Sequence, residues 1–466
     1  MAQKHQSTAD PAPAEPKKRR RVGFAKPDGG VEANECITIY LVSSKDEVGA
    51  SDAARITPID LNSFFEEDGK IYGYQGLSIT IWVSSISFQA YADISYKSTS
   101  DGGKGVTDLK SALQNIFGET LLDSKDDFLQ TFSSDGNYIR SIISSGEVLQ
   151  HPLTNGHDGA STLSGKATSD LEVVRMVMDN PDAGSLYSRL VPLVLLLVDG
   201  SNPIDVTDSG WELYVLTQKK DLEHEDVQSR LLGFSAIYRF YHYPDSTRLR
   251  LGQILVLPPY QSKGHGRHLL EVIHNVAISE DVYDFTVEEP LDAFQHVRTC
   301  LDVQRLLGFE PIKEALNSTV LYLKQGRLSK KTHVPRFVPP SSAAEDVRRV
   351  LKINKTQLTQ CWEILIYLSL DPIDKYVDDF EMIVSHRAKE EILGKDGGSG
   401  GKQVIEVPSE YKEDMSFVMF KTKDGKPSSV ELDEDQTKQQ EEQLKQLVDE
   451  RLNVIKSVAQ KVQLQV

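Results

Sequence analysis

The first part of the chain shows the alternation of hydrophobic and polar residues that is typical of β-strands. Ile37, Ile39 and Leu41 alternate with more polar positions, as in a strand with one buried face. A second extended stretch, 77–96, is rich in Ile, Val, Phe and Tyr, so it predicts either one long strand or two paired strands. Residues 153–170 are dense in Gly, Ser, Thr and Asn, which predicts a loop or a domain boundary.

The middle third of the chain alternates strand patterns with helix patterns. The predicted elements are strands at 211–217, 232–243, 249–257, 283–287 and 319–323, and helices at 267–278 and 292–307. A charged turn at 219–226 joins the first two strands, and Gly308 ends the second helix. This alternation predicts a mixed α/β core.

The last third is helical. Apolar residues recur at helical spacing between Val350 and Leu368, and a glycine-rich break follows at 394–401. From Gln439 to Val462 apolar residues stand three or four positions apart, which predicts an amphipathic helix. That helix either docks on the body of the protein or forms a coiled coil with a partner.

These patterns divide the 466 residues into five segments, consistent with two or three folded domains. The segments are a disordered tail at 1–33, an N-terminal α/β domain at 34–165, a core at 166–325, a helical domain at 326–425 and the amphipathic helix at 426–466.

Composition and charge exclude several classes of protein. With 39% hydrophobic and 26% charged residues, the chain is typical of globular proteins, and no apolar run approaches the roughly 20 residues of a membrane span. The start has no secretory signal. The net charge of −17 argues against broad nucleic-acid binding and suits a basic protein partner. Three distant cysteines (Cys36, Cys300 and Cys361) lack metal-ligand spacing and indicate a reducing compartment, with an inert thiol favoured over a catalytic one.

A compact basic run, Lys17–Arg21, interrupts this acidic composition. In a flexible tail, five consecutive cations form a ribbon that the acidic groove of an import receptor can bind. The alternative is a solvated basic tail. A nucleic-acid-binding function would rest on this run alone, and the acidic body opposes it.

Two glycines in the segment after the 249–257 strand predict a phosphate-binding loop. Gly264 and Gly266 precede a predicted helix, and without Cβ atoms their backbone can approach a phosphate closely. The positive end of the helix dipole favours an anion there, and Lys263 and Arg267 add cations. Such a glycine pair alone usually only caps a helix. A dinucleotide-binding motif would need glycine at position 269, which is Leu269.

The loop has the pattern (Q/R)xxGx(G/A) of the GCN5-related N-acetyltransferases, and its surroundings resemble one family among them. Residues 253–290 are similar to the cofactor segment of type B histone acetyltransferases, with plant-like divergence. Residues 73–77, 238–245 and 352–355 also agree with that family, and the resemblance spans about 35–390. It implies an α/β (α+β) fold, in which an acetyltransferase core with a mixed sheet follows an N-terminal α/β domain and precedes a helical region.

The sequence departs from that family at three positions. Ser262 stands where glycine is common, Arg267 where a small residue is common, and Glu289 where aspartate is usual. The first two lie in the phosphate loop and affect its detailed geometry. The Ser/Gly-rich stretch near 155–169 resembles an insertion.

The resemblance implies acetyl-CoA as co-substrate and no metal ion. The backbone of Ile254, Leu255 and Val256 would pair with the pantetheine arm like a neighbouring strand and supply an N–H group to the oxyanion. His265 and His268 have no partner ligand at metal-binding spacing. The residues of the loop would bind the pyrophosphate, and they are Gln261, Ser262, Lys263, Gly264, His265, Gly266 and Arg267.

By the same resemblance, Glu288 would be the general base. A lysine amine has a pKa of about 10.4, so its deprotonation near neutral pH costs about 4 kcal/mol and needs a nearby carboxylate. Glu289 would support it as a second negative charge that either raises the pKa of Glu288 or helps to hold the ammonium group. Pro290 biases Glu289 towards an extended backbone, which helps to end the strand at the site. The alternative is that both glutamates form a solvated turn.

The resemblance also implies substrate contacts from an acidic turn and an aromatic strand. Negative charges and aromatic faces suit a tail rich in Lys, Arg and Gly, through ion pairs and cation–π contacts. Alternatively, the acids are only solvated and the aromatic residues belong to the core. The residues are Glu66, Glu67, Asp68, Tyr238, Arg239 and Phe240.

The function implied by the family is acetylation of lysines in the N-terminal tail of newly synthesised, free histone four, before chromatin assembly. The family also implies a WD-repeat histone chaperone as partner, and location in nucleus and cytoplasm. Two alternatives remain open: an acetyltransferase for a different amine, and a non-catalytic histone-binding scaffold.

Overall fold

The computed structural model describes most of the chain. The described ranges are 29–65, 68–101, 105–149, 171–221, 227–324, 337–370, 373–393 and 434–464. The basic run Lys17–Arg21, the predicted loop at 153–170 and the glycine-rich break at 394–401 lie outside these ranges.

The N-terminal part is built on a five-stranded mixed sheet, whose strands lie in the order 54–56, 37–42, 78–84, 90–95 and 121–122. The predicted strand at residue 37 is confirmed, and its alternating Ile37, Ile39 and Leu41 are buried. The stretch 77–96 forms two antiparallel strands rather than one. The strands are β1 Val31–Glu32, β2 Ile37–Val42, β3 Ala54–Ile56, β4 Lys70–Ile71, β5 Tyr74–Gln75, β6 Ser78–Ser84, β7 Ala90–Ser95, β8 Ser98–Thr99 and β9 Leu121–Leu122, and the helices are α1 Ala33–Cys36, α2 Leu109–Phe117, α3 Lys125–Ser134 and α4 Tyr138–Ile143.

A six-stranded sheet forms the centre of the molecule, with its strands in sequence order from β10 to β15. Neighbouring strands are antiparallel except β14 and β15, which are parallel. The mixed α/β fold is therefore confirmed. The elements are β10 Glu147–Leu149, β11 Leu171–Val177, α5 Pro181–Leu197, β12 Trp211–Asp221, β13 Val227–His242, β14 Ser246–Val256, α6 His265–Ser279 and β15 Phe285–Val287.

Helices α5 and α6 cover opposite faces of this sheet because the buried residues of each strand alternate between two cores. Leu213 and Phe234 belong to the core that contains residues of α5. Tyr214 and Leu232 belong to the core that contains residues of α6. The period of two along β12 and β13 thus places a hydrophobic layer on each face.

The C-terminal part is a helical layer around the buried Trp362. The helix at Glu434–Gln463, α12, docks on it, since Val458 and Val462 are buried and the Arg451 guanidinium donates to both carboxylate oxygens of Glu363 at 2.8 Å. No helix in the described ranges is long and apolar enough to cross a membrane. The helices are α7 Asp292–Leu307, α8 Glu310–Lys324, α9 Ser341–Leu351, α10 Lys355–Leu368, α11 Asp374–Leu393 and α12 Glu434–Gln463.

The predicted strand at 319–323 is wrong, because these residues lie within α8. A local run of β-branched and aromatic residues favours a strand, but Ile312, Leu316, Val320 and Leu323 are buried at helical spacing. Packing of this apolar face against the rest of the protein therefore makes residues 319–323 helical. The charged turn predicted at 219–226 is also too long, since β12 continues to Asp221.

Candidate active site

The two parallel strands of the central sheet separate at Leu251. Residues Leu249–Leu251 of β14 pair with Phe285–Val287 of β15, and the Glu288 N–H donates to the Leu251 carbonyl at 3.0 Å. Beyond this point β14 continues to Val256, with β13 on one side only. No strand of the described ranges pairs with its other edge. An extended ligand that carries amides can bind such an edge as a strand would.

The glycine loop lies at the far end of this open edge. Gly264 has φ of 83° and is the N-cap of α6, and a Cβ atom at this position would meet no atom within 4 Å. Gln261 donates through Nε2 to the Val256 carbonyl at 2.8 Å, which ties the loop to the end of β14. The first N–H groups of a helix lack partners within it and form the positive end of its dipole. The loop therefore has the open backbone geometry of an anion site.

Two positive side chains of the loop have partners within the protein. The Lys263 ammonium donates to the Pro259 carbonyl at 3.0 Å. The Arg267 guanidinium donates to Glu271 at 3.0 Å and to Gln304 of α7 at 2.9 Å. Arg267 therefore links α6 to α7.

His265, the first residue of α6, has a buried Nδ1 atom with no hydrogen-bond partner among the described residues. Burial and the nearby Lys263 charge lower the pKa of His265, which keeps the ring neutral near pH 7. An orphaned buried nitrogen beside an open loop fits a site that a ligand completes.

Glu288 directly follows β15 and lies where the strands separate. Its carboxylate is 3.9 Å from the guanidinium of Arg250, and its side chain is 53% exposed. An incoming amine can therefore reach it from solvent. The extended backbone predicted for Glu289 before Pro290 is wrong, because Glu289 has φ of 35°, in the left-handed region. The chain therefore turns sharply after Glu288.

Tyr238 and Phe240 form an aromatic surface beside Glu288. Their ring centroids are 4.4 Å apart, and Trp211 lies 5.0 Å from the Tyr238 ring. Arg250 pairs across the strands with Tyr238, and its guanidinium carbon is 4.5 Å from the centroid of the Phe240 ring. One surface thus joins the two aromatic rings to the glutamate through Arg250.

Comparison with known proteins shows the family. The sequence family described as "Histone acetyl transferase HAT1 N-terminus" matches residues 30–199. A curated relative from Arabidopsis thaliana, "Histone acetyltransferase type B catalytic subunit", is 58% identical over 99% of this chain and 98% of its own length. The chain belongs to this family. A relative of the same name from Zea mays is 48% identical over 96% of this chain and 93% of its own length.

Membership of this family makes the chain an acetyltransferase, and the use of acetyl-CoA follows from it. Two solved acetyltransferases are similar to the chain at a low level. An aminoglycoside acetyltransferase from a soil metagenome has 15% identity and a TM-score of 0.21, over 27% of this chain and 82% of its own. A ribosomal-protein-alanine N-acetyltransferase from Brucella melitensis has the same values over 28% and 86%. The family assignment does not depend on either.

The structure does not bring Arg239 together with Tyr238 and Phe240. Strand alternation places it on the α6 face, where it donates to Glu212 at 3.0 Å and to Glu280 at 2.7 Å. Burial would raise the pKa of Glu212, but hydrogen bonds from Arg175 and Arg239 and their charges outweigh burial and lower it. Arg239 thus belongs to a partly buried ion cluster on the opposite face of the sheet from the aromatic surface, and Glu212 is its buried member.

The acidic turn is only partly described. Glu66 and Glu67 lie outside the described residues. Asp68 lies in the N-terminal part and accepts a hydrogen bond from the Tyr72 hydroxyl. Within the described ranges, no group of three or more His, Cys, Asp or Glu side chains is placed to hold a metal ion.

Sequence reasoning missed Arg250, which looks like an ordinary polar position of a strand. Its importance comes from the register that sets it opposite Tyr238 and from the parallel pairing that brings Glu288 beside it. The hairpin from β13 to β14 is the available signal, because the Tyr238–Arg250 pair keeps the register set at the turn, and the bulge shifts the pairing only beyond it, from Ala236 onwards.

Proposed function

We propose that this protein transfers an acetyl group from acetyl-CoA to lysine side chains in the N-terminal tail of newly synthesised, free histone four. The amine attacks the thioester directly, and Glu288 accepts its proton. One observation carries the proposal: the open edge of β14 has the glycine loop at one end and Glu288 at the other. A diphosphate held at the loop and a base at Glu288 would then lie along one extended track.

The residues along this track fit the co-substrate. The backbone of Ile254–Val256 would hold the pantetheine arm, and the N–H groups at 263–267 would hold the pyrophosphate. The open space at Gly264 and the unpartnered Nδ1 of His265 support this assignment. Acetyl-CoA supplies the thioester, and the protein supplies its alignment with the amine.

The position of Glu288 supports its role as general base. Its carboxylate is accessible, and the guanidinium of Arg250 lies 3.9 Å from it on one side. As the amine attacks the carbonyl carbon, its proton passes to Glu288 directly or through water, and the thiolate of coenzyme A leaves. Glu289 would add a second negative charge that attracts the lysine ammonium before deprotonation.

The substrate tail would lie across Tyr238 and Phe240. Aromatic faces bind the cationic side chains and aliphatic stems of Lys and Arg, and the net charge of −17 attracts a basic tail over longer distances. Within this proposal the acidic turn Glu66–Asp68 contributes charge. Arg239 supports the surface from behind and does not contact the tail.

The decisive experiment compares amine acceptors and follows the products. Purified protein is given acetyl-CoA with free core histones, a histone-four tail peptide, spermine or unrelated N-terminal peptides, and mass spectrometry maps the products. We expect the tail peptide to be acetylated on lysines. Preference for spermine or for α-amines would show an acetyltransferase for a different amine.

A Glu288→Gln variant tests the base and the scaffold alternative together. Loss of a general base costs about 100-fold or more in rate, so we expect kcat to fall by that factor with acetyl-CoA affinity unchanged. If the protein were a non-catalytic scaffold, the wild type and Glu288→Gln would bind tail and cofactor equally, and neither would transfer acetyl groups.

The proposal extends to partners and location. We propose that a WD-repeat histone chaperone presents the histone, and that Lys17–Arg21 binds an import receptor, so that the protein is present in both nucleus and cytoplasm. A fluorescent fusion in which Lys17–Arg21 are replaced by alanine is expected to lose nuclear accumulation. Unchanged accumulation would identify the run as a solvated tail.

A further inference from the structure

A buried glutamine lies at the point where β14 leaves β15. Ala236 of β13 pairs with Gln253 while the next residue, Ile237, pairs with Leu251, so Gly252 is the extra residue of a β-bulge. Leu251 is also the last residue of β14 that pairs with β15. The bulge and the opening of the cofactor edge therefore coincide.

The side-chain amide of Gln253 is held by hydrogen bonds at both ends. The Tyr187 hydroxyl of α5 donates to Oε1 at 2.8 Å. Nε2 donates to the Ser201 hydroxyl at 2.8 Å and to the Asn202 carbonyl at 2.7 Å. With 4% of its surface exposed, Gln253 has both of its amide protons donated within the protein.

The same network reaches the backbone around the bulge. The Ser235 hydroxyl of β13 donates to the carbonyl of Gln253 at 2.8 Å, and the Tyr187 hydroxyl accepts from the Ile204 N–H at 3.1 Å. A bulged residue lacks regular ladder partners, so side-chain anchors of this kind determine where the strand turns. Gly252 adds a steric constraint, because a Cβ atom there would lie 2.9 Å from the Trp211 ring.

We propose that Gln253 is a positioning residue for acetyl transfer. Its anchored amide holds the bulge, and the bulge turns the backbone of Ile254–Val256 away from β15 and towards acetyl-CoA. This inference rests on the proposed function, since it requires acetyl-CoA to lie along that edge. Gln253 itself points to the α5 face and does not touch the co-substrate.

Two variants remove hydrogen bonds of the Gln253 side chain, one by changing Gln253 itself and the other by changing its partner Tyr187. Gln253→Met keeps the length of the side chain and removes its hydrogen bonds, and Tyr187→Phe removes only the hydroxyl. Val384→Ala, in the fully buried core of α11, is the control that lowers stability far from β14. Calorimetry measures the Kd of acetyl-CoA, steady-state kinetics separate the two KM values, and hydrogen exchange follows the amides of 254–256.

We expect Gln253→Met to raise the Kd and KM of acetyl-CoA about tenfold, which corresponds to about 1.4 kcal/mol, with the KM of the tail peptide unchanged. Tyr187→Phe should act in the same direction by a smaller factor and should speed exchange at 254–256. The double variant should be no worse than Gln253→Met alone, because both changes act through one network. The control should lose stability and keep the Kd.

Unchanged acetyl-CoA affinity in both variants, with only the loss of stability seen in the control, would overturn the inference. If Gln253→Met does not fold, the Kd of acetyl-CoA and the amide exchange at 254–256 in Tyr187→Phe test the inference by the same criteria. A wild-type protein that fails to bind acetyl-CoA would instead overturn the proposed function, and this inference with it.

Discussion

The guanidinium of Arg250 lies 3.9 Å from the carboxylate of Glu288, and its central carbon lies 4.5 Å from the ring centroid of Phe240. One side chain of β14 therefore contacts both the candidate base after β15 and the aromatic surface of β13. The candidate base and the aromatic surface are therefore connected through Arg250.

Replacement of Arg250 by methionine should lower kcat/KM for the tail peptide. A half-exposed ion pair contributes up to about 1 kcal/mol, so we expect a decrease of about fivefold, and Arg250→Lys should recover part of it. Steady-state kinetics with varied peptide measure the change, and Arg349→Met on the exposed surface of α9 is the control. Full activity of Arg250→Met would show that Glu288 needs no such support.

Alanine at the two glycines of the loop should have opposite effects on stability. Gly264 has φ of 83°, so Gly264→Ala should lower the free energy of unfolding by about 1 to 2 kcal/mol although the Cβ would meet no neighbour. Gly266 lies in α6, and its Cβ would be 3.6 Å from Val256, an ordinary contact. Gly266→Ala should therefore raise the free energy of unfolding by up to about 1 kcal/mol.

Urea unfolding of both variants measures these changes, and calorimetry with acetyl-CoA shows their effect on the loop. We expect Gly264→Ala to weaken acetyl-CoA binding because the strained N-cap moves the first N–H groups of α6. Equal stability of the two variants would contradict the left-handed geometry at Gly264.

The buried His274 should make stability depend on pH. Burial lowers the pKa of His274 well below 6.5, and the charge of Arg305 adds to this, while Nε2 forms a 2.6 Å hydrogen bond with the Leu351 carbonyl. Below pH 6.5 the unfolded chain binds a proton that the folded protein does not. The free energy of unfolding should therefore fall as pH decreases from 6.5, by up to about 1.4 kcal/mol per unit from this residue.

Urea unfolding at pH 7.5, 6.5 and 5.5 tests this, with His274→Gln as the comparison. The variant should be less stable at pH 7.5 and should show a flatter dependence between 6.5 and 5.5. The same slope in both proteins would assign the pH dependence to other groups.

The docking of α12 should depend on Arg451. Its guanidinium makes a bidentate contact with Glu363, whose side chain is 4% exposed and also pairs with Arg387 at 2.8 Å. Arg451→Met should destabilise the helical layer by about 2 to 3 kcal/mol. This is less than the usual cost of leaving a buried carboxylate without an ion pair, because Arg387 still pairs with Glu363.

Hydrogen exchange along α12 and thermal unfolding measure the effect of Arg451→Met. The matched control is Lys456→Met on the same helix, whose pair with Glu381 is more exposed and should contribute less than about 1 kcal/mol. If both variants have equal effects, α12 is held by its apolar face alone.

Local patterns in the sequence were sufficient for much of the fold. The predicted helix 292–307 has the bounds of α7, and the strand, glycine loop and helix around Gly264 appear in the predicted order. These features depend on residues a few positions apart, whose spacing reports the period of a helix or strand directly. The strand predicted at 319–323 failed because packing against other helices overrode a local preference.

The family, the glycine loop and the glutamate pair after a strand could be recognised from the sequence, because each depends on a contiguous motif. Which side chains share a surface became clear only from the folded chain. The pairing of strands placed Arg250 with Tyr238 and turned Arg239 to the opposite face. It also brought Tyr187 to Gln253, 66 positions apart in the chain. Register and burial arise from contacts between distant segments, so no local pattern contains them.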